Sequence, residues 1–208
     1  MERRKHPAIA MTTKRAANLE ELETQFTAVC ARASALVDSV DPQLLARRPR
    51  EGSWSIIECI EHLNMSADPY FPLWESAIAQ AGKRSVPDNT PYRMDFWGRL
   101  LEWSLEPPPR FRFPTSKPFE PQSLGEMGPV LQGFLDRQQR IIQNLRKSRG
   151  LAVDSVKIDS PFSQRVHYSV WSSFVVTAAH ERRHLWQAEQ AARIVRAAQN
   201  EWRTQPVP

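Results

Sequence analysis

Four long segments of the chain repeat apolar residues at spacings of three and four, and this periodicity restricts the fold more than any other feature. In the first segment, from Asn18 to Val40, the repeating residues are Leu22, Phe26, Val29, Ala33 and Leu36. A stripe with a period near 3.6 residues is typical of an amphipathic helix that buries one face. Four such helices without a strand-rich region predict an all-α fold, a four-helix bundle.

The second long helix is marked by a start signal. The segment Ser55-Ile-Ile-Glu58 has the form of a capping box, in which the serine hydroxyl and the glutamate carboxylate each accept a hydrogen bond from a backbone N–H of the other residue. Pro69 and Pro72 follow further along the chain. Because proline interrupts the backbone hydrogen bonds of a helix interior, we expect these two residues to kink or divide the helix.

The third and fourth long helices lie in the second half of the chain. A second capping box, Ser123-Leu-Gly-Glu126, predicts that the third helix opens there and continues toward Ser148. The fourth helix is predicted from about Ser169 to Ala197, where the apolar stripe is again helical. Residues 151–168, between these helices, are interpreted as a connection with extended pieces.

A long crossover joins the second and third helices. Within residues 83–121, the pattern of Tyr92–Leu105 predicts one short helix, which three consecutive prolines, Pro107 to Pro109, bring to an end. The segment 105–121 is rich in proline. Connections of this length are frequently functional, so we expect residues 90–121 to help shape a substrate pocket. The predicted architecture is therefore a four-helix bundle with one long crossover that carries a short helix and a Pro-rich segment.

Length and composition narrow the class of protein. The 208 residues fit one domain, and we expect a disordered basic tail at residues 1–17 and a domain over residues 18–200. The net charge of +5 comes from scattered lysines and arginines, which argues against a nucleic-acid partner. No stretch approaches the roughly 18–20 apolar residues that span a bilayer, and no apolar signal-peptide core follows the basic start. These features predict a cytoplasmic protein with no membrane partner and two reduced cysteines.

Three of the five histidines lie on predicted helices. His180 and His184 are four residues apart, which places them on one helical face with Cβ atoms about 5–6 Å apart. Two imidazoles in this arrangement can bind a common ion. His62, on the second helix, completes a three-histidine site if the two helices face each other. The alternative is that these histidines are only structural, because an H-x-x-x-H pair also arises by chance.

Two sequence motifs resemble those of a known family. Trp54-Ser-Ile-Ile-Glu-Cys-Ile-Glu-His62-Leu63 resembles the W-S-x-x-E-x-x-x-H-L signature of the DinB-like (DinB/YfiT) superfamily. Ala179-His180-Glu-Arg-Arg-His184-Leu-Trp-Gln187 is similar to its C-terminal H-x-x-x-H-x-x-Q signature. The resemblance covers about residues 18–195. It implies a four-helix bundle with a divalent metal held by three histidines, which here are His62, His180 and His184. The Pro-rich segment is long for the family.

A site with three protein ligands leaves coordination positions open, as catalytic metal sites do. Imidazole ligands suit zinc and nickel, which we expect first, and also iron or manganese. The resemblance implies a metal-dependent transferase that uses a low-molecular-weight thiol as one function, and a non-catalytic metal-binding stress-response or interaction protein as the alternative. A small-molecule substrate and a homodimer are further expectations. A plain helical bundle without metal is the third hypothesis.

Two polar neighbours of the histidines are candidates for a supporting role. Glu58 lies one turn before His62 and can accept a hydrogen bond near the ion, although the capping box explains it equally. Gln187 lies three residues after His184 and can contact a ligand or simply face solvent. We interpret Cys59 as a small buried hydrophobe, and Trp54, Trp171 and Trp186 as core or interface anchors.

Overall fold

The computed structural model describes residues 15–87, 89–111, 114–121 and 125–204. In this part of the chain the helices are α1 (Leu19–Asp38), α2 (Ile56–Ala67), α3 (Tyr70–Gln80), α4 (Phe96–Leu105), α5 (Met127–Lys147) and α6 (Val170–Thr204). The strands are β1 (Lys157–Ser160) and β2 (Ser163–Ser169). Two short 3-10 turns span Pro42–Leu44 and Lys117–Phe119.

Four helices form the bundle, as predicted. Helix α1 packs on α5 and α6, and α2 packs on the same two helices from the other side. Leu22, Phe26, Val29, Ala33 and Leu36, which form the stripe predicted for α1, are all buried. The predicted periodicity therefore corresponds to the buried face. Among the described residues, no helix has both the length and the apolar character needed to cross a bilayer.

The start of α2 is the predicted capping box. The Ser55 hydroxyl accepts a hydrogen bond from the backbone N–H of Glu58 at 3.3 Å, and a Glu58 carboxylate oxygen accepts one from the Ser55 N–H at 2.8 Å. The helix then ends before Pro69, and Pro72 lies in the first turn of α3, where proline leaves no helical hydrogen bond unmade. The prolines thus divide the predicted helix in two.

The predicted start of α5 is wrong. The helix begins at Met127, with Glu126 at its N-cap position and no side-chain cap, whereas a capping box at Ser123 would have started it earlier. Ser123 itself lies outside the described residues. The physical reason is Pro129, which a helix tolerates in its first turn but which would fall in the interior of a helix that opened at Ser123.

The connection between α5 and α6 contains a short hairpin. Strands β1 and β2 are antiparallel, with Ile158 opposite Tyr168, and both of these side chains are buried in the core. This confirms the extended pieces predicted for residues 151–168. Because β2 runs directly into Val170, the hairpin is attached to the first turn of α6. The last helix continues to Thr204, beyond the predicted end near Ala197.

The N-terminal boundary of the domain lies slightly earlier than expected. Residues 1–14 of the predicted tail lie outside the described residues. Residues 15–17, assigned above to the tail, contact the domain: Ala16 is buried, and Arg15 pairs with Glu102 of α4. Small apolar Ala16 fits into the core beside Tyr92, whose N–H donates to the Ala17 carbonyl at 2.9 Å.

Candidate metal centre

Helices α2 and α6 bring the three predicted histidines together. The ring nitrogen atoms that His62, His180 and His184 offer all lie within 4.8 Å of one another. The Nε2 atoms of His62 and His180 are 3.3 Å apart. Two nitrogens bound tetrahedrally to one Zn²⁺ at about 2.0–2.1 Å would be roughly 3.3 Å apart. The spacing therefore fits a shared ion without movement of these two rings.

A backbone carbonyl of the crossover orients His62. The Nδ1–H of His62 donates to the Phe119 carbonyl oxygen at 2.8 Å. A histidine whose Nδ1 carries the proton has its lone pair on Nε2, so this contact selects the tautomer that can bind a metal. The Ser66 hydroxyl lies 3.3 Å from the same Nε2. Phe119 belongs to the 3-10 turn Lys117–Phe119, so the crossover contributes directly to the site.

Burial keeps the three imidazoles neutral. Burial lowers the pKa of His62, against an opposing effect of the Phe119 hydrogen bond. Burial, followed by the nearby His62 and Arg183, lowers the pKa of His180 to about 3. Burial and the two other histidines hold the pKa of His184 well below its usual range. Neutral imidazole is the form that binds metal, so the rings are ready for an ion at neutral pH.

The Nδ1 atom of His184 supports the same interpretation. It is buried and has no hydrogen-bond partner within the described part of the chain. A buried polar atom without a partner costs free energy, and such atoms are rare in native structures. A hydrogen-bond partner or an ion directly beside this nitrogen would satisfy it.

Trp54 lies against the histidines, a position that the sequence did not predict. Its ring is stacked on that of His184, with centroids 5.7 Å apart, and lies 4.8 Å from that of His62. Trp54 also packs against the core, as expected of an anchor. Because it precedes the N-cap of α2, a helical wheel of that helix does not place it. In the structure its ring forms an apolar wall beside His62 and His184.

A large cavity opens beside the three histidines. It has a volume of about 920 Å³ and is lined by His62, His180 and His184, so the side of the cluster that faces it is accessible to a ligand. Along α6 its lining extends from Val176 to Ile194, which corresponds to about 27 Å of helix. The histidines therefore have cavity lining on both sides of them along this helix.

The two ends of the cavity differ in chemistry. Toward the hairpin, aromatic side chains line it, and the buried hydroxyls of Tyr70 and Tyr168 are hydrogen-bonded at 2.6 Å. Toward the C-terminal half of α6, the lining includes Arg50, Gln187 and Gln190. The crossover closes the remaining side with Pro109, Pro114, Thr115, Ser116 and Phe119. The expectation that residues 90–121 shape a pocket agrees with this lining.

The two supporting candidates have different positions. Gln187 lines the cavity and contacts His184, whose pKa that contact raises slightly against the effect of burial. Glu58 instead uses its carboxylate in the capping box and in an ion pair with Arg48. Burial raises the pKa of Glu58, but the hydrogen bonds from Arg48 and Ser55 outweigh burial and lower it. The described contacts of Glu58 therefore assign it a structural role.

His167 and Cys59 are separate from the site. His167 is exposed on β2 and pairs with Asp159, and His6 lies outside the described residues. Cys59 is fully buried in the core, where burial raises its pKa above the usual range of a thiol. A protonated, enclosed thiol does not act as a metal ligand, which agrees with its interpretation as a small hydrophobe.

Comparisons with known proteins agree with the fold. The family model of the DinB superfamily matches residues 25–188. Among solved structures, YfiT from Bacillus subtilis, described as a probable metal-dependent hydrolase with an unusual four-helix bundle topology, is similar with a TM-score of 0.56. The two sequences are 12% identical, and the alignment covers 92% of this chain and 93% of YfiT. At this identity the likeness shows the fold alone. No curated protein matches the chain.

Proposed function

The chain belongs to the DinB superfamily, and from that premise we propose that it is a metal-dependent enzyme in which His62, His180 and His184 hold a divalent ion. The observation that carries this proposal is the meeting of three neutral imidazoles at the wall of a large cavity. A closed structural zinc site would have four ligands. Three ligands beside an open cavity leave room for a reacting molecule.

Zinc and nickel are the ions that we expect first, with iron or manganese as alternatives. Neutral imidazoles suit all of these ions, and selection in a cell depends partly on supply. When bound, such an ion supplies a Lewis acid that lowers the pKa of a coordinated water or thiol.

The protein's own residues prepare the site. The Phe119 carbonyl holds the proton of His62 on Nδ1, burial keeps His180 and His184 neutral, and Trp54 covers one side of the ligand rings. Gln187 offers an amide that can hydrogen-bond a molecule bound beside His184. These contacts orient the ligands and exclude bulk water from one side of the cluster.

Group transfer with a low-molecular-weight thiol is the reaction that we favour. The cavity extends to both sides of the histidines, so a thiol and an acceptor can approach the cluster from opposite ends. Thiols of this kind are polar, and the end with Arg50, Gln187 and Gln190 offers them hydrogen bonds and charge. The aromatic end, near Tyr70 and Phe162, suits a less polar acceptor.

Hydrolysis is the second candidate, because the structurally similar YfiT is described as a probable metal-dependent hydrolase. A hydrolase needs water and one substrate, and therefore only one end of the cavity. A non-catalytic metal-binding protein is the third possibility, in which the site binds an ion without turnover.

One assay series separates these functions. Protein without a histidine tag is loaded with Zn²⁺ or Ni²⁺ and given glutathione, cysteine or coenzyme A together with chlorodinitrobenzene, an electrophile that exchanges chloride for the thiolate. A parallel series offers p-nitrophenyl acetate without thiol. We expect thiol-dependent turnover that the variant His180→Gln loses. The matched control is His167→Gln, which changes an exposed histidine outside the site.

Each outcome has a distinct meaning. Ester hydrolysis without thiol, lost in His180→Gln, would replace the transferase with the hydrolase. One bound metal equivalent without either activity would favour the non-catalytic protein. Less than about half an equivalent of metal after loading with Zn²⁺, Ni²⁺, Fe²⁺ and Mn²⁺ would overturn the metal site itself.

A further inference from the structure

Four hydroxyl groups meet at the end of the cavity nearest the hairpin. They belong to Tyr70 of α3, Ser160 and Tyr168 of the hairpin, and Thr177 of α6, and all four residues are buried and line the cavity. The Tyr70 and Tyr168 hydroxyls are hydrogen-bonded at 2.6 Å. The Ser160 side chain borders Tyr168, and the Thr177 side chain borders Tyr70. We call these four groups the hydroxyl network.

The Thr177 hydroxyl is the member of this network that lacks a partner. Thr177 is 6% exposed, and its oxygen has no hydrogen-bond partner of suitable geometry in the part of the chain that the structure describes. Threonines inside helices often bond back to a carbonyl of the preceding turn, as Thr24 and Thr27 of α1 do. Because a buried hydroxyl without a partner costs free energy, we infer that Thr177 bonds a molecule in the cavity.

The hydroxyl network is electrically neutral. Burial raises the pKa of both Tyr168 and Tyr70, so both phenols stay protonated at neutral pH. Among the described contacts, none of the four hydroxyls pairs with a charged side chain. A charged group bound here would lose its hydration without gaining an opposite charge from the network, which is costly. An uncharged polar group suits this end of the cavity better.

Aromatic rings adjoin the hydroxyl network. The Phe162 ring lies 5.8 Å from that of Tyr70, 4.7 Å from that of Phe119 and 6.4 Å from that of His180. Phe162 lines the cavity and is 41% exposed, so part of its ring is available for contact. Aromatic side chains pack well against flat apolar groups, which indicates a ligand with a flat apolar body.

The hydroxyl network is one helical turn from the histidines. Thr177 precedes His180 by three residues on α6, which places the two side chains on one helical face, about 4.5 Å apart along the axis. A molecule that bonds Thr177 and packs on Phe162 therefore lies beside the His180 ring. This is the end of the cavity that is assigned above to the less polar acceptor.

We propose that the hydroxyl network selects the acceptor: an uncharged molecule with a flat apolar body and one hydroxyl group, which Thr177 and Tyr70 hold. The inference rests on the proposed transferase, because it names the class of acceptor for the same cavity. A hydroxyl suits the place between Thr177 and Tyr70 because it can accept a hydrogen bond from one of them and donate to the other. A carbonyl can only accept.

Binding of 4-fluorophenol to the full chain tests this inference. Fluorine NMR titrations at pH 7, on protein loaded with Zn²⁺ and again in EDTA, compare it with fluorobenzene, which lacks the hydroxyl. We expect 4-fluorophenol to bind about fivefold more tightly in both samples, as one additional hydrogen bond gives. In EDTA, 4-fluorobenzoate, which carries a carboxylate in place of the hydroxyl, should bind more weakly than 4-fluorophenol.

Variants of Thr177 locate the binding. Thr177→Val removes the hydroxyl at nearly constant volume and should lose the preference for 4-fluorophenol, while its affinity for fluorobenzene stays unchanged. Thr177→Ser keeps a hydroxyl and should keep the preference. The matched control is Thr27→Val, the same substitution at an exposed position of α1, which should bind both compounds as the wild type does.

The stability of Thr177→Val provides an independent measurement. Since the hydroxyl has no partner inside the described fold, its removal should leave the urea midpoint unchanged or raise it. A clear loss of stability would show that the fold already uses this hydroxyl, and would overturn the inference. Equal affinities of the wild type for 4-fluorophenol and fluorobenzene would also overturn it, because water would then serve Thr177 equally well.

The inference and the proposed reaction fail in different ways. Selective binding of 4-fluorophenol without thiol-dependent turnover in any metal-loaded sample would overturn the transferase, while the hydroxyl network would still bind an uncharged hydroxyl compound. Thiol-dependent turnover in a protein that does not prefer 4-fluorophenol over fluorobenzene would overturn the inference alone.

Discussion

The two walls of the cavity are built in opposite ways. On one side, α2 and α6 place two buried histidines and the half-buried His180 by regular helical geometry, and the capping box fixes where α2 begins. On the other side, the crossover reaches the cavity through one side of α4, through prolines and through the 3-10 turn Lys117–Phe119. At the histidines these two walls are joined by the hydrogen bond that the Nδ1–H of His62 donates to the carbonyl oxygen of Phe119.

Because they are built differently, the two walls have different roles at the site. Helical packing holds the ligand nitrogens at a spacing that suits one ion, and a change of even one ring there removes a ligand. The crossover orients the His62 ring and lines part of the cavity, and both of these depend on many weaker contacts. We therefore expect large effects from changes in the helical wall and graded effects from changes in the crossover.

The largest effect is expected for His184→Ala. Removal of one of three ligands should weaken zinc binding by at least about a hundredfold, while helicity stays nearly unchanged, because alanine favours helix. A competition titration with a chromophoric chelator measures the affinity, and circular dichroism measures the helicity. His167→Ala, outside the site, should behave as the wild type. Unfolding of His184→Ala would show that the helical wall depends on this ring for its stability.

The metal-free helical wall should lose stability in acid. The folded pKa values of His62, His180 and His184 are lowered by burial, so the unfolded chain binds protons more readily below its pKa of about 6.5. Their contribution is fully present above that pH and is lost as the pH falls toward the His180 pKa of about 3. In urea unfolding with EDTA, His180→Gln should gain stability relative to the wild type between pH 7 and pH 5. A constant difference would contradict the assigned pKa shifts.

A smaller effect, on stability, is expected at Gly98, where α4 of the crossover packs on α6. In Gly98→Ala the new methyl group would meet the Ser172 side chain, and overpacking of this kind costs about 1–3 kcal/mol. Gly128→Ala is the matched control, because that glycine is exposed near the start of α5 with open space around it. The control should be neutral or more stable by up to about 1 kcal/mol. Equal urea midpoints for both variants would show that α4 is not closely packed on α6.

The smallest effect is expected for Pro118→Gly. Glycine gives more conformational freedom to the 3-10 turn that presents the Phe119 carbonyl. Fixing this turn in its native conformation then costs about 0.4–1 kcal/mol more in conformational entropy. Zinc affinity should therefore fall by less than about tenfold, since the ligands themselves remain. Pro87→Gly, in an exposed loop away from the site, should leave the affinity unchanged. A loss as large as that of His184→Ala would mean that the crossover determines the site as strongly as the helices do.

The helical wall could be predicted from sequence because the residues that determine it are close together along the chain. The spacing of His180 and His184, the capping box at Ser55 and the break at Pro69 depend on neighbours within one or two turns. His62 is the third predicted ligand from its place on the second helix, and the family resemblance implies the same residue. The fold class followed from the same periodicity, and the family model and the structure confirm it.

The other features could not be predicted because they depend on distant contacts. The bond from His62 to Phe119 joins residues 57 positions apart, and no local pattern marks a backbone carbonyl as a partner. Trp54 precedes its helix, so the helical wheel does not place its ring. The start of α5 depends on Pro129, which the Ser-x-x-Glu pattern does not take into account.

The hydrogen bond between His62 and the crossover affects which positions of this sequence can change during evolution. Every amino acid carries a carbonyl oxygen, so the oxygen that orients His62 is independent of which side chain occupies position 119. Mutation there can remodel the lining of the cavity while the histidine keeps its tautomer. The lining of the cavity can therefore change through this loop while the three histidines on the helices keep their arrangement.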